Sequence, residues 1–208
     1  MPTTVYKLGG SLLDLPGLAG RLDRLLSAAS TGDRPLLVVG GGAAADVVRD
    51  WDRIHALGDT LAHRLAIGAM SFNAALIASL LPSAELVADR EQAEAAWSAG
   101  RRPVLDTSVF VAAEEPRAAT PLPESWEVTG DTVAAWISLC WPADRLVLIK
   151  STGIPGGCPP DEAVRQGRID PRLPGLLTGI AATAWVNLRG DSLLPTPWPP
   201  ARSAQRSG

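Results

Sequence analysis

Two short apolar runs, Thr3–Leu8 and Leu36-Leu37-Val38-Val39, each end in glycines, and each is followed by residues with helical spacing. The second run is apolar at every position, which suits a strand buried on both faces, and such strands belong to parallel sheets covered by helices on both sides. The helical segments follow as expected. Leu18, Leu22, Leu25 and Leu26 come after the Pro16-Gly17 turn, Val47, Val48, Trp51 and Ile54 form a second stripe, and Leu61, Leu65, Ile67 and Met70 a third beyond a break near Gly58. Further strands are predicted at Ala84–Ala88, Pro103–Leu105 and Arg145–Ile149, with helices at Glu91–Ala99 and from Thr129 to Cys140. This alternation predicts an α/β protein, a three-layer αβα sandwich around a mainly parallel central sheet.

A chain of 208 residues suits one compact domain, expected over residues 1–190. Glu114–Ser125 carries Pro116, Pro121 and Pro123 among polar residues and reads as an exposed loop within that domain. From Asp191 the chain holds Pro195, Pro197, Pro199 and Pro200 before a polar end, so residues 191–208 are expected to be a disordered tail.

A net charge of -3 gives no basic surface for nucleic acid or an anionic membrane, and Arg101-Arg102 is too short to alter that. Cys140 and Cys158 suggest neither a disulfide framework nor a zinc site, and two histidines leave little for a metal. With no basic, apolar leader pattern and with Asn73 and Ser79 interrupting the longest apolar stretch, a cytoplasmic protein is expected.

Chemistry concentrates at the strand ends. A strand that ends in glycines and feeds a helix gathers bare backbone N–H groups and a helix N-terminus at one point, where an anion is stabilised. Gly9-Gly10-Ser11 and Gly40-Gly41-Gly42 both have this form, although glycines at either place could equally serve a tight turn alone. Lys7 lies near the carboxyl end of the first strand, where a lysine without a partner would be costly. Thr129 is a plausible N-cap with Asp131 in the first turn, a position the helix dipole favours in any helix. The strand Leu146-Val147-Leu148-Ile149 ends in Lys150-Ser151-Thr152-Gly153 and repeats the chemistry of the first.

These segments, in this order, resemble the amino acid kinase family, which includes acetylglutamate, aspartate, glutamate 5-, uridylate and isopentenyl phosphate kinases. Lys7-Leu8-Gly9-Gly10-Ser11 matches its opening K-x-G-G-S, Gly40–Gly42 its acceptor-binding turn, and His55-Ala56-Leu57-Gly58-Asp59 its histidine followed by a glycine and an acid. Gly130-Asp131-Thr132-Val133-Ala134-Ala135 is similar to its S/A-D-x-x-A-A helix start, and Leu146–Thr152 to its nucleotide-binding strand. The resemblance implies direct phosphoryl transfer from ATP with Mg²⁺ held mainly by ATP oxygens and water. Lys7, Asp131 and Lys150 would be catalytic, with Asp131 orienting the lysines. Gly9, Gly10, Ser11, Ser151, Thr152 and Gly153 would border the nucleotide and its phosphates, and Gly40, Gly41, Gly42, His55, Gly58 and Asp59 the small-molecule acceptor. Self-association is common in the family.

The chain departs from the family in two places. Leu176-Leu177-Thr178-Gly179-Ile180 is not followed by the late lysine of G-M-x-x-K, and Ser151-Thr152-Gly153-Ile154-Pro155 replaces T-D-V-x-G-V-Y. The Val-Thr-x-Asp helix start, Ile169-Asp170-Pro171 and Val186-Asn187 are most similar to the small (aminomethyl)furan-methyl phosphate kinases of methanofuran biosynthesis, which implies a phosphomonoester acceptor. An amino-acid carboxylate is the alternative acceptor, and a catalytically silent nucleotide-binding or storage protein the alternative role. Gly40-Gly41-Gly42-Ala43-Ala44-Ala45 also satisfies the dinucleotide fingerprint G-x-G-x-x-A, but the acid expected about 20 residues on, at the end of a strand, falls in a helical region. No G-x-x-x-x-G-K-[ST] occurs.

Overall fold

The computed structural model describes residues 1–28 and 32–200. The chain runs β1 (Thr3–Leu8), α1 (Leu18–Ser27), β2 (Arg34–Val39), α2 (Gly42–His55), α3 (Asp59–Leu80), β3 (Ala84–Val87), α4 (Arg90–Ser98), β4 (Arg102–Leu105), α5 (Thr107–Glu114), α6 (Gly130–Cys140), β5 (Arg145–Lys150), α7 (Pro160–Arg165), α8 (Leu173–Leu177), β6 (Ala182–Asn187) and β7 (Thr196–Pro197). The strands form one sheet in the order β3-β4-β2-β1-β5-β6-β7. Every pairing is parallel except that of β7 with β6.

Strand β1 lies at the centre, with Lys7 opposite Val38 of β2 and Leu148 of β5. Because strand side chains alternate between faces, each central strand feeds two cores. Val5, Leu36, Val38, Leu146 and Leu148 pack on one face under α6, whereas Tyr6, Leu8, Leu37, Val39, Val147 and Ile149 pack on the other with α1. By the same alternation Lys7 and Lys150 fall on the α6 side. The fold therefore brings both lysines towards the start of one helix.

Helix α3 has the length and apolarity of a membrane span, with mean hydropathy 1.3 over its most apolar window. Its packing is that of a layer of this fold: Ile67, Met70, Ala74 and Ile77 are buried, and Asn73 donates to the carbonyls of Gly40 and Gly41 at 2.8 and 2.7 Å. The segment read as an exposed loop before α6 is docked as well, since Leu122 is in the core and Trp136 Nε1 donates to the Thr120 carbonyl at 2.8 Å.

The expected disordered tail is corrected over residues 191–200, and residues 201–208 lie outside the described residues. Thr196–Pro197 adds an antiparallel edge strand, where proline's missing N–H is tolerated. Trp198 is 2% exposed, its ring centroid lies 5.6 Å from that of Trp185, and its Nε1 donates to the Cys158 carbonyl at 2.8 Å. One buried indole with a satisfied N–H outweighs the polar, proline-rich composition around it. Trp198→Ala is expected to lower unfolding free energy by about 3–5 kcal/mol, the usual cost of emptying a large aromatic site; an unchanged urea midpoint would show the segment to be peripheral.

Candidate active site

Asp131 is 2% exposed and bridges two cations. Its Oδ1 lies 2.8 Å from Lys7 Nζ and its Oδ2 2.6 Å from Lys150 Nζ. Burial alone would raise the Asp131 carboxyl, but the charges of Lys7 and Lys150 overcome it and hold the group down at about 2. Lys150 is pushed down, first by burial and then by the charge of Lys7, with Asp131 pulling the other way. Its ammonium also lies 5.5 Å from the ring centroid of Trp185, whose Nε1 donates to the Thr152 carbonyl at 2.9 Å.

Lys7 and Lys150 are the only two lysines in the chain; every other member of its 19 lysines and arginines is arginine. Lysine presents a compact point charge on a flexible stem, where arginine presents a broad planar fork. A chain that uses arginine everywhere else has kept lysine at the one place where two ammonium groups share a buried carboxylate.

The glycine turns are needed because backbones cross here. A side chain at Gly10 would put its Cβ 2.2 Å from the Gly42 nitrogen, so the turns after β1 and β2 touch backbone to backbone. A Cβ at Gly130 would meet Lys7 Cε at 3.1 Å and Gly40 Cα at 3.2 Å, which presses the first turn of α6 against the lysine stem. Ser11 and Ser151 hydroxyls, 3.1 Å apart, join the turn after β1 to the one after β5.

Two cavities meet at this crossing and share Lys7, Gly10 and Ser11. One, of about 390 Å³, is bounded by Gly9, Lys150, Ser151, Thr152 and the Gln166–Arg168 turn. The other, of about 200 Å³, is bounded by Gly40, Gly41 and Gly42 with Arg49, His63 and Trp126. Arg49 lies over the Trp126 ring, 4.7 Å from its centroid, and donates to Asp46 at 2.8 Å, while Trp126 Nε1 donates to Asp52 at 2.8 Å. Among the described residues no group of three or more His, Cys, Asp or Glu side chains could hold a metal ion.

The structure brings together Lys7, Gly9, Gly10, Ser11, Gly40, Gly41, Gly42, Asp131, Lys150, Ser151 and Thr152, while Gly153 bounds neither cavity. His55, Gly58 and Asp59, expected at the acceptor, lie apart from this group. They occupy the exposed break between α2 and α3, where Ala56 and Gly58 take positive φ, and none bounds either cavity. The histidine at the cavity is His63, one turn inside α3, with Nε2 buried and unpartnered and its pKa lowered chiefly by burial. Sequence reading did not place Trp126 here, and Asp170 figured only in the Ile169-Asp170-Pro171 segment with no role at the site. Asp170 is 8% exposed and accepts from the Thr129 and Thr132 backbone N–H groups at 3.1 and 2.8 Å. The lysine count was the unused signal, since it picks out Lys7 and Lys150 without any motif.

The architecture recurs in solved structures. Uridylate kinase from Archaeoglobus fulgidus superposes with a TM-score of 0.51 at 24% identity, covering 73% of this chain and 64% of that one. This chain therefore spans just under two thirds of the archaeal enzyme's length. UMP kinase from Ureaplasma parvum gives 0.59 at 13% identity, with 91% of each chain covered. UMP kinase from Bacillus anthracis gives 0.61 at 15% identity, covering 92% of this chain and 89% of that one. At such identities the likeness is one of fold. No curated protein sequence matches the chain. Residues 2–153 match the model described as the amino acid kinase family. The match ends three residues past Lys150, so every side chain that meets at Asp131 lies inside it, and the chain belongs to the amino acid kinase family.

Proposed function

We propose that the chain transfers the γ-phosphoryl group of ATP to a small acceptor, with the transfer taking place at Lys7. The observation that carries this reading is the position of the two lysines: both are paired to the buried Asp131, and Lys7 borders both cavities. Phosphoryl transfer needs little covalent chemistry from the protein, and depends instead on aligning donor and acceptor and neutralising charge on the equatorial oxygens. The larger cavity would take the nucleotide, with Gly9, Gly10, Ser11, Ser151 and Thr152 around its phosphates and Gly153 near its mouth. The smaller would take the acceptor against Gly40–Gly42.

Asp131 holds Lys7 and Lys150 apart and prevents either from collapsing away when the site is empty. When triphosphate arrives, both ammonium groups gain a second anionic partner without leaving the first, so little reorganisation accompanies reaction. Lys150 would take the part of the late lysine that Leu176–Ile180 lacks. Mg²⁺ would bind ATP oxygens and water, since Asp131 is already engaged by the lysines.

For the acceptor we infer a phosphomonoester such as (aminomethyl)furan-methyl phosphate. Lys7 and Arg49 both border the smaller cavity, His63 adds a ring nitrogen, and Trp126 offers a flat apolar wall. The UMP kinases that share this fold are named for a phosphomonoester acceptor of their own. A carboxylate acceptor would instead give an acyl phosphate, which hydroxylamine traps and a diphosphate does not. Self-association is supported by Leu61, Leu65, Phe72, Leu76 and Leu80, which are exposed along one stripe of α3.

Incubation with γ-labelled ATP, Mg²⁺ and a panel of phosphomonoesters and amino acids is expected to label a phosphomonoester with no hydroxamate formed; nucleotide binding without turnover on any acceptor would favour a silent protein. Lys7→Ala should reduce transfer by at least about 10³-fold, the scale of losing a preorganised electrostatic contact, and leave the far-ultraviolet spectrum unchanged because Asp131 keeps Lys150. Asp131→Asn removes the shared counter-charge from two buried ammonium groups, so both rate and melting temperature should fall, with a stability loss of about 3–5 kcal/mol. A normal rate in a merely less stable Asp131→Asn protein would argue against its role in orienting the lysines.

A further inference from the structure

Helix α6 begins without a cap of its own. Thr129 occupies the N-cap position with extended backbone, φ -120 and ψ -162, yet its hydroxyl makes no bond to the helix's N–H groups. It donates to Asp170 instead. The Asp170 carboxylate takes the Thr129 N–H at 3.1 Å and the Thr132 N–H at 2.8 Å, reaching back 41 and 38 residues to do so. Unpaired N–H groups and a positive dipole end make a helix start a natural seat for a carboxylate.

The need for a distant carboxylate follows from Asp131. An acid in the first turn ordinarily compensates the helix dipole, but both oxygens of Asp131 face Lys7 and Lys150. A second acid supplies what the first does not. It does so at a cost, because Asp170 is 8% exposed and its carboxyl is pushed up by burial and then by the charge of Asp131. Asp170 is also anchored from behind: Ile169 is in the core, and the preceding turn, Gln166–Arg168, is a wall of the larger cavity.

We propose that Asp170 is a positioning residue of the phosphoryl-transfer site, which holds the first turn of α6 so that the Asp131 carboxylate stays between Lys7 and Lys150. Its consequence for catalysis rests on the kinase reading above, while its effect on the lysines does not. Asp170 touches neither lysine through a hydrogen bond or ion pair among the described contacts; its charge reaches Lys150 through space, and its hydrogen bonds go to Thr129, Thr132 and the helix turn they define, so Thr129→Val, which keeps the charge, isolates the positioning effect.

Because the chain has two lysines only, amine labelling reads the site directly. Wild type, Asp170→Asn and the milder Thr129→Val, which removes only the hydroxyl donated to Asp170, are labelled with trace acetic anhydride under native conditions and analysed by mass spectrometry. The N-terminal amine serves as the internal reference and Asp131→Asn as the standard for unpaired lysines. Asp170→Asn is expected to raise labelling of Lys7 and Lys150 by about tenfold, the factor that corresponds to about 1.4 kcal/mol of lost ion pairing, and Thr129→Val to raise it in the same direction by less. Wild-type lysine labelling in either folded variant, accompanied only by a lower melting temperature, would overturn the proposal and leave Asp170 a helix cap. Should wild type fail to transfer phosphoryl groups, the kinase reading falls and the labelling result stands unaffected.

Discussion

A carboxylate buried between two ammonium groups organises this molecule. Taking Asp131, Lys7 and Lys150 out of water is expensive, and the mutual attraction offsets that cost only if the three stay in register. Much of the central architecture can be understood as keeping them there. The lysines come from adjacent parallel strands and fall on one face by strand alternation, and α6 starts over that face. Glycines at 10, 42 and 130 let three backbone segments approach closely enough to close the arrangement.

The same arrangement sets Lys7 where two cavities touch and Lys150 on the wall of the larger one. Two carboxylates, Asp131 and the nearby Asp170, accompany the two ammonium groups, so the lysines offer directed donors to the cavity in place of an unbalanced charge. Burial keeps the local dielectric low, so those donors act more strongly on an anion than they would at the surface. Several arginines contribute elsewhere: Arg34 and Arg90 lie over aromatic rings, and Arg102 pairs with Asp23. Arg49 and Arg168 border the two cavities, but it is the two lysines that pair with Asp131.

Features set by local pattern were legible in the sequence. The apolar runs of β1, β2 and β5 and the glycines that end two of them identified the sheet centre, and Lys7, Asp131 and Lys150 stood out from their places in those segments. Features set by tertiary docking were not. His55 matched a spacing, but the backbone reverses at Ala56–Gly58 and leaves it in solvent, whereas His63, which matched nothing, is carried to the cavity by α3. Trp126 and Asp170 reach the site from segments whose local sequence reads as loop, and Trp198 anchors a proline-rich stretch through its packing on Trp185 and its hydrogen bond to the Cys158 carbonyl. In each case the deciding partner is more than ten residues away, beyond what periodicity or turn chemistry can register.

The central claim is that the two lysines on Asp131 contact and neutralise the phosphoryl group as it passes to the acceptor. A crystal structure with a non-hydrolysable ATP analogue and Mg²⁺ tests it most directly. The account predicts γ-phosphate oxygens within hydrogen-bonding distance of Lys7 Nζ and Lys150 Nζ, both still paired to Asp131, with the triphosphate lying over Gly9–Ser11. A triphosphate bound away from that turn, with neither lysine in contact, would contradict it.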